Sequence, residues 1–267
     1  MENPKDDQIR QAVLKRYGEI AKAGAAGCGC TPSSCCDSGN NPTAEDISTR
    51  LGYSDDDVST VPEGANMGLG CGNPQAIASL QPGETVLDLG SGGGFDCFLA
   101  AKAVGENGHV IGVDMTPEMI SKARKNAEKA GLTNVEFRLG EIEHLPAADN
   151  SLDVIISNCV VNLSPEKSDV FKEAFRVLKA GGRLAIMDIV ATAELPAEVK
   201  KDLELHVGCV AGAAQIHDLE SMLKDAGFTD ICIKPIDGSK ELIRQWAPGK
   251  SIEDFVVSAT IEAVRPC

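Results

Sequence analysis

The apolar positions of this chain fall into two regimes. Between residues 5 and 23, Ile9, Val13, Tyr17, Ile20 and Ala21 recur at helical spacing with charged residues between them, which predicts an amphipathic helix. From Glu84 onward, short continuous apolar runs alternate with amphipathic stretches. TVLDLG (85–90), HVIGVDM (109–115), NVEFRLG (134–140), LDVIISN (152–158) and RLAIMDIV (183–190) read as strands, and the continuous apolar run of the first suits burial on both faces. Residues 95–104, 117–130 and 166–178 read as the intervening helices. Thr116 reads as a capping residue with Pro117 at the first helical position, and Gly181-Gly182 ends the third helix. Strands alternating with helices predict an α/β fold with a doubly wound, mostly parallel sheet.

The flanks are less regular. Residues 24–46 are rich in Gly, Ser, Pro and Asn and read as a mobile loop. Residues 47–84 hold short helices at most, then a turn-rich stretch from Gly68 to Pro74. After Ala191 come one helix and a small-residue patch (196–214), then a helix over 217–228. The segments 230–236 and 254–264 read as strands that can pair as a hairpin at the sheet edge. The organisation expected is an N-terminal helix with a cysteine-rich loop (1–65), a ligand-binding core (66–192), and a C-terminal α/β appendage (193–267).

Charge narrows the function. With 25 Lys plus Arg against 40 Asp plus Glu, the net charge is −15, which repels nucleic acid and anionic membranes. No apolar run approaches the roughly 20 residues of a membrane span. Met1 to Arg10 is polar and does not read as a secretory signal. Ten cysteines in such a chain point to reduced thiols and a cytoplasmic location rather than a disulfide scaffold.

The chemistry begins after the first strand. In Asp88-Leu89-Gly90-Ser91-Gly92-Gly93-Gly94 the glycines allow close backbone approach to a ligand and a sharp turn into a helix. A dinucleotide fingerprint requires its third glycine where Phe95 stands, and Asp88 is unfavourable beside a pyrophosphate. An acid there suits a ligand carrying positive charge. Asp114, with Met115 after it, ends the second strand, where a carboxylate can accept both ribose hydroxyls. Glu141 and Ile142 follow the third strand and could border an adenine, and Asn158 ends the fourth. These residues resemble the class I S-adenosylmethionine-dependent methyltransferases over roughly residues 85–190. The resemblance implies a Rossmann-like sheet and S-adenosylmethionine as cofactor.

Three cysteines occupy strand-end places that could face such a ligand: Cys71 in GLGCGNP, Cys159 in SNCVVNLS, and Cys209 in HVGCVAGAA. Three thiolates form a soft site. Zinc would want a fourth ligand, whereas As(III) takes three sulfurs and keeps a lone pair, the nucleophile that a sulfonium methyl needs. NMGLGCGNP (66–74), DLGSGGGFDCFLAAK (88–102), VIGVDMTPEMISKAR (110–124), FRLGEIEHLPAADNSLDVIISNCVVNLSP (137–165) and HVGCVAGA (206–213) resemble arsenite S-adenosylmethionine methyltransferases. The resemblance implies that Cys71, Cys159 and Cys209 bind arsenic, delivered as arsenite or a thiol conjugate. It further implies that an N-terminal thiol reduces arsenic between rounds by forming a disulfide that thioredoxin or glutathione reopens. Cys28, Cys30, Cys35 and Cys36 are the candidates. The pair Cys35 and Cys36 is preferred, with the choice between them open, and a metal-buffering role for the cluster is the alternative. Tyr17 either leans over the cofactor or packs its helix. Competing functions are methylation of a carbon or oxygen acceptor, such as a quinone precursor or sterol, and metalloid sequestration without chemistry. Cys97, Cys232 and Cys267 read as ordinary packing residues.

Overall fold

The computed structural model describes residues 4–23, 42–247 and 249–267. The N-terminal helix α1 (Pro4–Ala23) is followed by the short helices α2 (Ala44–Arg50), α3 (Asp55–Thr60) and α4 (Gln75–Ala78). The alternating part runs β1 (Thr85–Leu89), α5 (Phe95–Val104), β2 (His109–Asp114), α6 (Pro117–Ala130), β3 (Val135–Leu139), β4 (Leu152–Asn158), α7 (Lys167–Val177) and β5 (Leu178–Ala191). It ends with α8 (Ala197–Lys200), α9 (Leu203–Val207), α10 (Ile216–Ala226), β6 (Thr229–Ile236), α11 (Lys240–Trp246) and β7 (Val256–Val264).

The seven strands form one sheet in the order β3-β2-β1-β4-β5-β7-β6. The first five are parallel, and β7 is antiparallel to both neighbours. The two late strands pair at the sheet edge as expected, but β7 inserts beside β5 and leaves β6 outermost. Strands of the C-terminal portion thus complete the same sheet as the core. The central strands lose nearly all solvent contact: Leu87, Leu89, Ile155 and Ile156 are fully buried. Helices α7 and α10 cover one face through Phe171, Val177 and Leu223, and α5 and α6 cover the other through Phe98, Ala101 and Ile120.

Local details depart from the sequence reading in three places. Thr116 does stand at the start of α6, but its side chain caps no backbone N–H of the helix. Its hydroxyl instead bonds the Asp114 carboxylate. The one helix expected within 196–214, ahead of the small-residue patch, is two short helices, because Asp202 caps a new one by accepting from the Glu204 and Leu205 N–H groups. The fifth strand begins at Leu178, ahead of the glycine pair, with a register irregularity against β4. Residues 28–36 lie outside the described residues, so the cysteine cluster has no structural account.

Phe171 packs at the centre of the α7–sheet interface with no exposed surface. Phe171→Ala is expected to lower unfolding free energy by about 3–5 kcal/mol, the usual cost of a cavity that size. Urea denaturation with an unchanged slope checks it; a loss under about 1 kcal/mol would contradict this packing.

Candidate functional site

In an open α/β sheet, ligands bind beyond the carboxyl ends of the strands where strand order reverses. Here that place lies between β1 and β4, and it opens into a cavity of about 310 Å³. One wall is the glycine loop. Gly90 takes a φ of 70°, a left-handed conformation that strains side-chain-bearing residues, and a Cβ there would stand 2.3 Å from Val160. The Gly92 N–H donates to Asp114 Oδ2 at 3.0 Å and the Thr116 N–H to Asp114 Oδ1 at 2.8 Å, so the β2 carboxylate is fixed at the cavity edge. The Ser91 hydroxyl is buried on the same wall with no hydrogen-bond partner among the described residues. An unmet polar atom in a preformed concavity is where a polar ligand belongs.

The cavity wall is also unusually acidic. Burial pushes the Asp88 carboxyl well above the usual range, and neighbouring Asp96 adds to this. Burial likewise raises Asp96 to about 6, against hydrogen bonds that favour its ionised form. Tyr53 donates to both Asp96 oxygens at 2.8 and 3.0 Å. Cys97 donates its thiol to Asp88 at 3.3 Å. Asp114 is raised in the same direction by burial. Three desolvated carboxylates on one cavity call for a cation. With glycines for close approach, an unmet hydroxyl and a strand-end carboxylate, this wall fits the charged, ribose-bearing S-adenosylmethionine.

The other wall carries sulfur. Cys159 and Cys209 line the cavity, and Cys71 lies buried beside Cys159, off the cavity surface. Cys159 hydrogen-bonds both Cys71 and Cys209, so the three thiols form one cluster. The Cys209 thiol also donates to the Cys159 carbonyl at 2.8 Å. Both residues hold left-handed backbone, with φ of 61° at Cys159 and 64° at Cys209. Side-chain-bearing residues take that conformation at a cost of about 1–2 kcal/mol. It persists because the Cys159 N–H donates to Met187 O at 2.8 Å and the Cys209 N–H to His206 O at 2.9 Å. Burial raises the Cys71 thiol to about 11. Cys159 is raised well above its ordinary value by burial, and Cys209 by its hydrogen bond to Cys159 and by burial. The apo cluster is therefore neutral. None of the six described cysteines is in a disulfide.

Asn158 joins the two walls. Its Oδ1 accepts from the Cys71 N–H at 3.0 Å, while its Nδ2 donates to Gly72 O at 2.8 Å and Tyr53 Oη at 3.0 Å. Tyr17 lines the cavity, half-buried, and donates to Val207 O at 3.2 Å. Met115 and Ile142 line it as well. Glu141 does not: a turn closed by the His144 N–H to Glu141 O bond leaves it exposed, and Glu143 takes the lining position. Glu143 is occupied, accepting from the Ser164 hydroxyl at 2.5 Å with Arg10 at 3.7 Å. Cys35 and Cys36 lie outside the described residues. Sequence reasoning missed Tyr53, Asp96, Asn162 and Asp188. Asp96 alone carried a local signal, as an acid two residues past the glycine loop.

Comparison with known proteins agrees with this geometry. A family described as "Methyltransferase domain" matches residues 80–227. The chain is 54% identical over 266 residues to an arsenite methyltransferase of Halobacterium salinarum, covering 97% of this chain and 67% of that protein. It is 35% identical to human arsenite methyltransferase, covering 84% of this chain and 59% of that protein. Thus the chain spans about three fifths to two thirds of the length of these relatives. Among solved structures it resembles an arsenic(III) S-adenosylmethionine methyltransferase from Chlamydomonas reinhardtii, with a TM-score of 0.61 and 33% identity, covering 85% of this chain and 75% of that one. A Haemonchus contortus phosphoethanolamine N-methyltransferase solved with S-adenosyl-L-methionine matches at a TM-score of 0.60 and 19% identity, covering 73% of this chain and 51% of that one, a likeness of fold alone. The fold, the cavity with its two walls and these relatives together place the chain in the arsenite methyltransferase family.

Proposed function

We propose that this protein methylates trivalent arsenic held by Cys71, Cys159 and Cys209. The observation that supports this most is a run of three buried, neutral thiols, two of which, Cys159 and Cys209, line the cavity that the glycine loop and the acidic wall also line, with Cys71 bonded to Cys159 behind them. Arsenous acid exchanges its three hydroxyls for three sulfurs: each S–H and As–OH pair gives one As–S bond and one water. No net proton is released, so buried neutral thiols suit a neutral metalloid. Asp88 and Asp96 would face the cationic end of the cofactor, Asp114 would accept from its ribose, and the Ser91 hydroxyl would gain a partner there. When bound, S-adenosylmethionine supplies an electrophilic methyl on a sulfonium sulfur. The chain supplies position: Asn158 couples the donor wall to the Cys71 loop, and the cysteines aim the arsenic lone pair. No general base is required, since the nucleophile carries no proton. Transfer leaves arsenic oxidised by two electrons. We assign its reduction to two thiols, Cys71 and either Cys35 or Cys36, which give up two electrons and form a disulfide that thioredoxin or glutathione reduces in the cytoplasm.

Among the described residues no helix is long and apolar enough to cross a membrane.

Incubation with arsenite, labelled S-adenosylmethionine and a dithiol is expected to yield labelled methylarsenicals. Cys159→Ser and Cys209→Ser should each cut the rate more than about 100-fold by removing a soft ligand. Methylation of a carbon or oxygen acceptor would instead survive both changes. Asp114→Ala should lose cofactor affinity while arsenite still binds.

The raised carboxyls set a pH dependence. Asp96 titrates near 3.9 in an unfolded chain and near 6 when folded. The folded state therefore binds more protons between these values, and the stability this contributes below them is lost as pH rises through about 6, at most about 3 kcal/mol. The apo protein should melt higher at pH 5.5 than at pH 7.5, Asp96→Asn should flatten the difference, and S-adenosylmethionine should stabilise more at pH 7.5. A melting temperature in Asp96→Asn with the wild-type pH slope would contradict the assignment.

A further inference from the structure

Cys209 reaches the cluster from a segment that follows β5, so some contact must hold that segment against the Cys159 turn. Asn162 stands at the joint. It lies in the turn Val161–Leu163 and is 1% exposed. Its Nδ2 donates to Asp188 Oδ1 at 2.9 Å and to Ile189 O at 2.5 Å, and reaches Cys209 O at 3.4 Å. Its N–H donates to Asp188 Oδ2 at 3.2 Å. One side chain thus ties β5, the Cys159 turn and the backbone of the third cysteine.

A second observation marks the same joint from the opposite side. A Cβ placed on Gly212 would lie 2.1 Å from the Asn162 carbonyl oxygen. No side chain fits there, and the backbone of Gly212 seats directly on Asn162. The Cys209 segment is thereby located at both ends of a short stretch, by a side-chain contact at 209 and a backbone contact at 212.

Asp188 is the anchor of this arrangement. One of its oxygens and the Cys71 and Cys159 sulfurs lie within 4.8 Å of one another, a set that does not include the Cys209 sulfur. Its Oδ1 accepts from Asn162 Nδ2 and the Ile189 N–H at 2.7 Å, and Oδ2 from the Asn162 N–H. The carboxylate is thus held by the backbone and Asn162, and it fixes Asn162 in turn.

We propose that Asn162, seated against Gly212 and braced by Asp188, is the positioning residue for the third thiol. It touches no reacting atom; it fixes where Cys209 stands. The inference rests on arsenite binding to the three cysteines. Removing the amide leaves Cys209 in left-handed backbone without that tether, so two thiols stay in place and the third moves off.

The test titrates arsenite into the full chain and follows the sulfur-to-arsenic charge-transfer absorbance, with S-adenosylmethionine affinity and melting temperature measured in parallel. Asn162→Ala should weaken arsenite binding by about 10–100-fold, the range for lost supporting contacts around a ligand set. Its absorbance should shrink toward that of Cys209→Ser. The double variant should be no weaker than Cys209→Ser alone, since both changes remove the same ligand. Asn162→Ser, which keeps one donor, should recover part of the affinity, and Gly212→Ala should weaken arsenite in the same direction. Cofactor affinity should stay within about twofold throughout. Full wild-type absorbance in Asn162→Ala, or losses that add in the double variant, would overturn the proposal. So would a joint fall of melting temperature and cofactor affinity in both Asn162 variants. Absence of the absorbance in the wild type would overturn the arsenite reading beneath it.

Discussion

Everything in the cavity depends on the parallel pairing of β1 with β4. The register sets Asp88 beside Ile156 and Leu89 beside Ser157, so the loops after these strands emerge side by side. One loop is the glycine turn that lines the cavity, and the other carries Asn158 and Cys159. Gly90 has no side chain where Val160 packs, which is what lets the two loops touch. A slip by one residue would turn the strand faces over and separate the loops. The pairing therefore determines that the glycine loop and the Cys159 turn border one cavity.

Burial then gives the two walls opposite electrical characters from the same cause. On the donor wall, desolvation loads Asp88, Asp96 and Asp114 with unfavourable charge that a cation relieves. On the acceptor wall, desolvation keeps the thiols protonated. A neutral three-sulfur arsenic complex leaves that wall as uncharged as it began.

Much of this was legible in the sequence, for physical reasons that also explain what was not. Central strands such as 85–90 and 152–158 announce themselves because both faces are buried, leaving no polar alternation. Gly90, Ser91 and Asp114 were readable because a strand end, a glycine turn and an acid form a local motif. The residues missed are those whose partners are remote: Tyr53 meets Asp96 across 43 positions, and Asn162 meets Cys209 across 47. Local spacing carries no record of such contacts. Glu141 was placed in the site and Glu143 overlooked because the orientation of a tight turn decides between them, and hydrophobic periodicity is silent there. The break between α8 and α9 has a similar origin, since a side-chain cap at Asp202 outweighed a weak helical pattern.

The central claim is that three sulfurs, and nothing else from the protein, hold arsenic in this cavity. X-ray absorption at the arsenic edge of the arsenite-loaded wild-type chain tests it most directly. The account predicts a first shell of three sulfur neighbours with no oxygen. A shell containing a protein oxygen, or only two sulfurs in the folded wild-type chain, would contradict it.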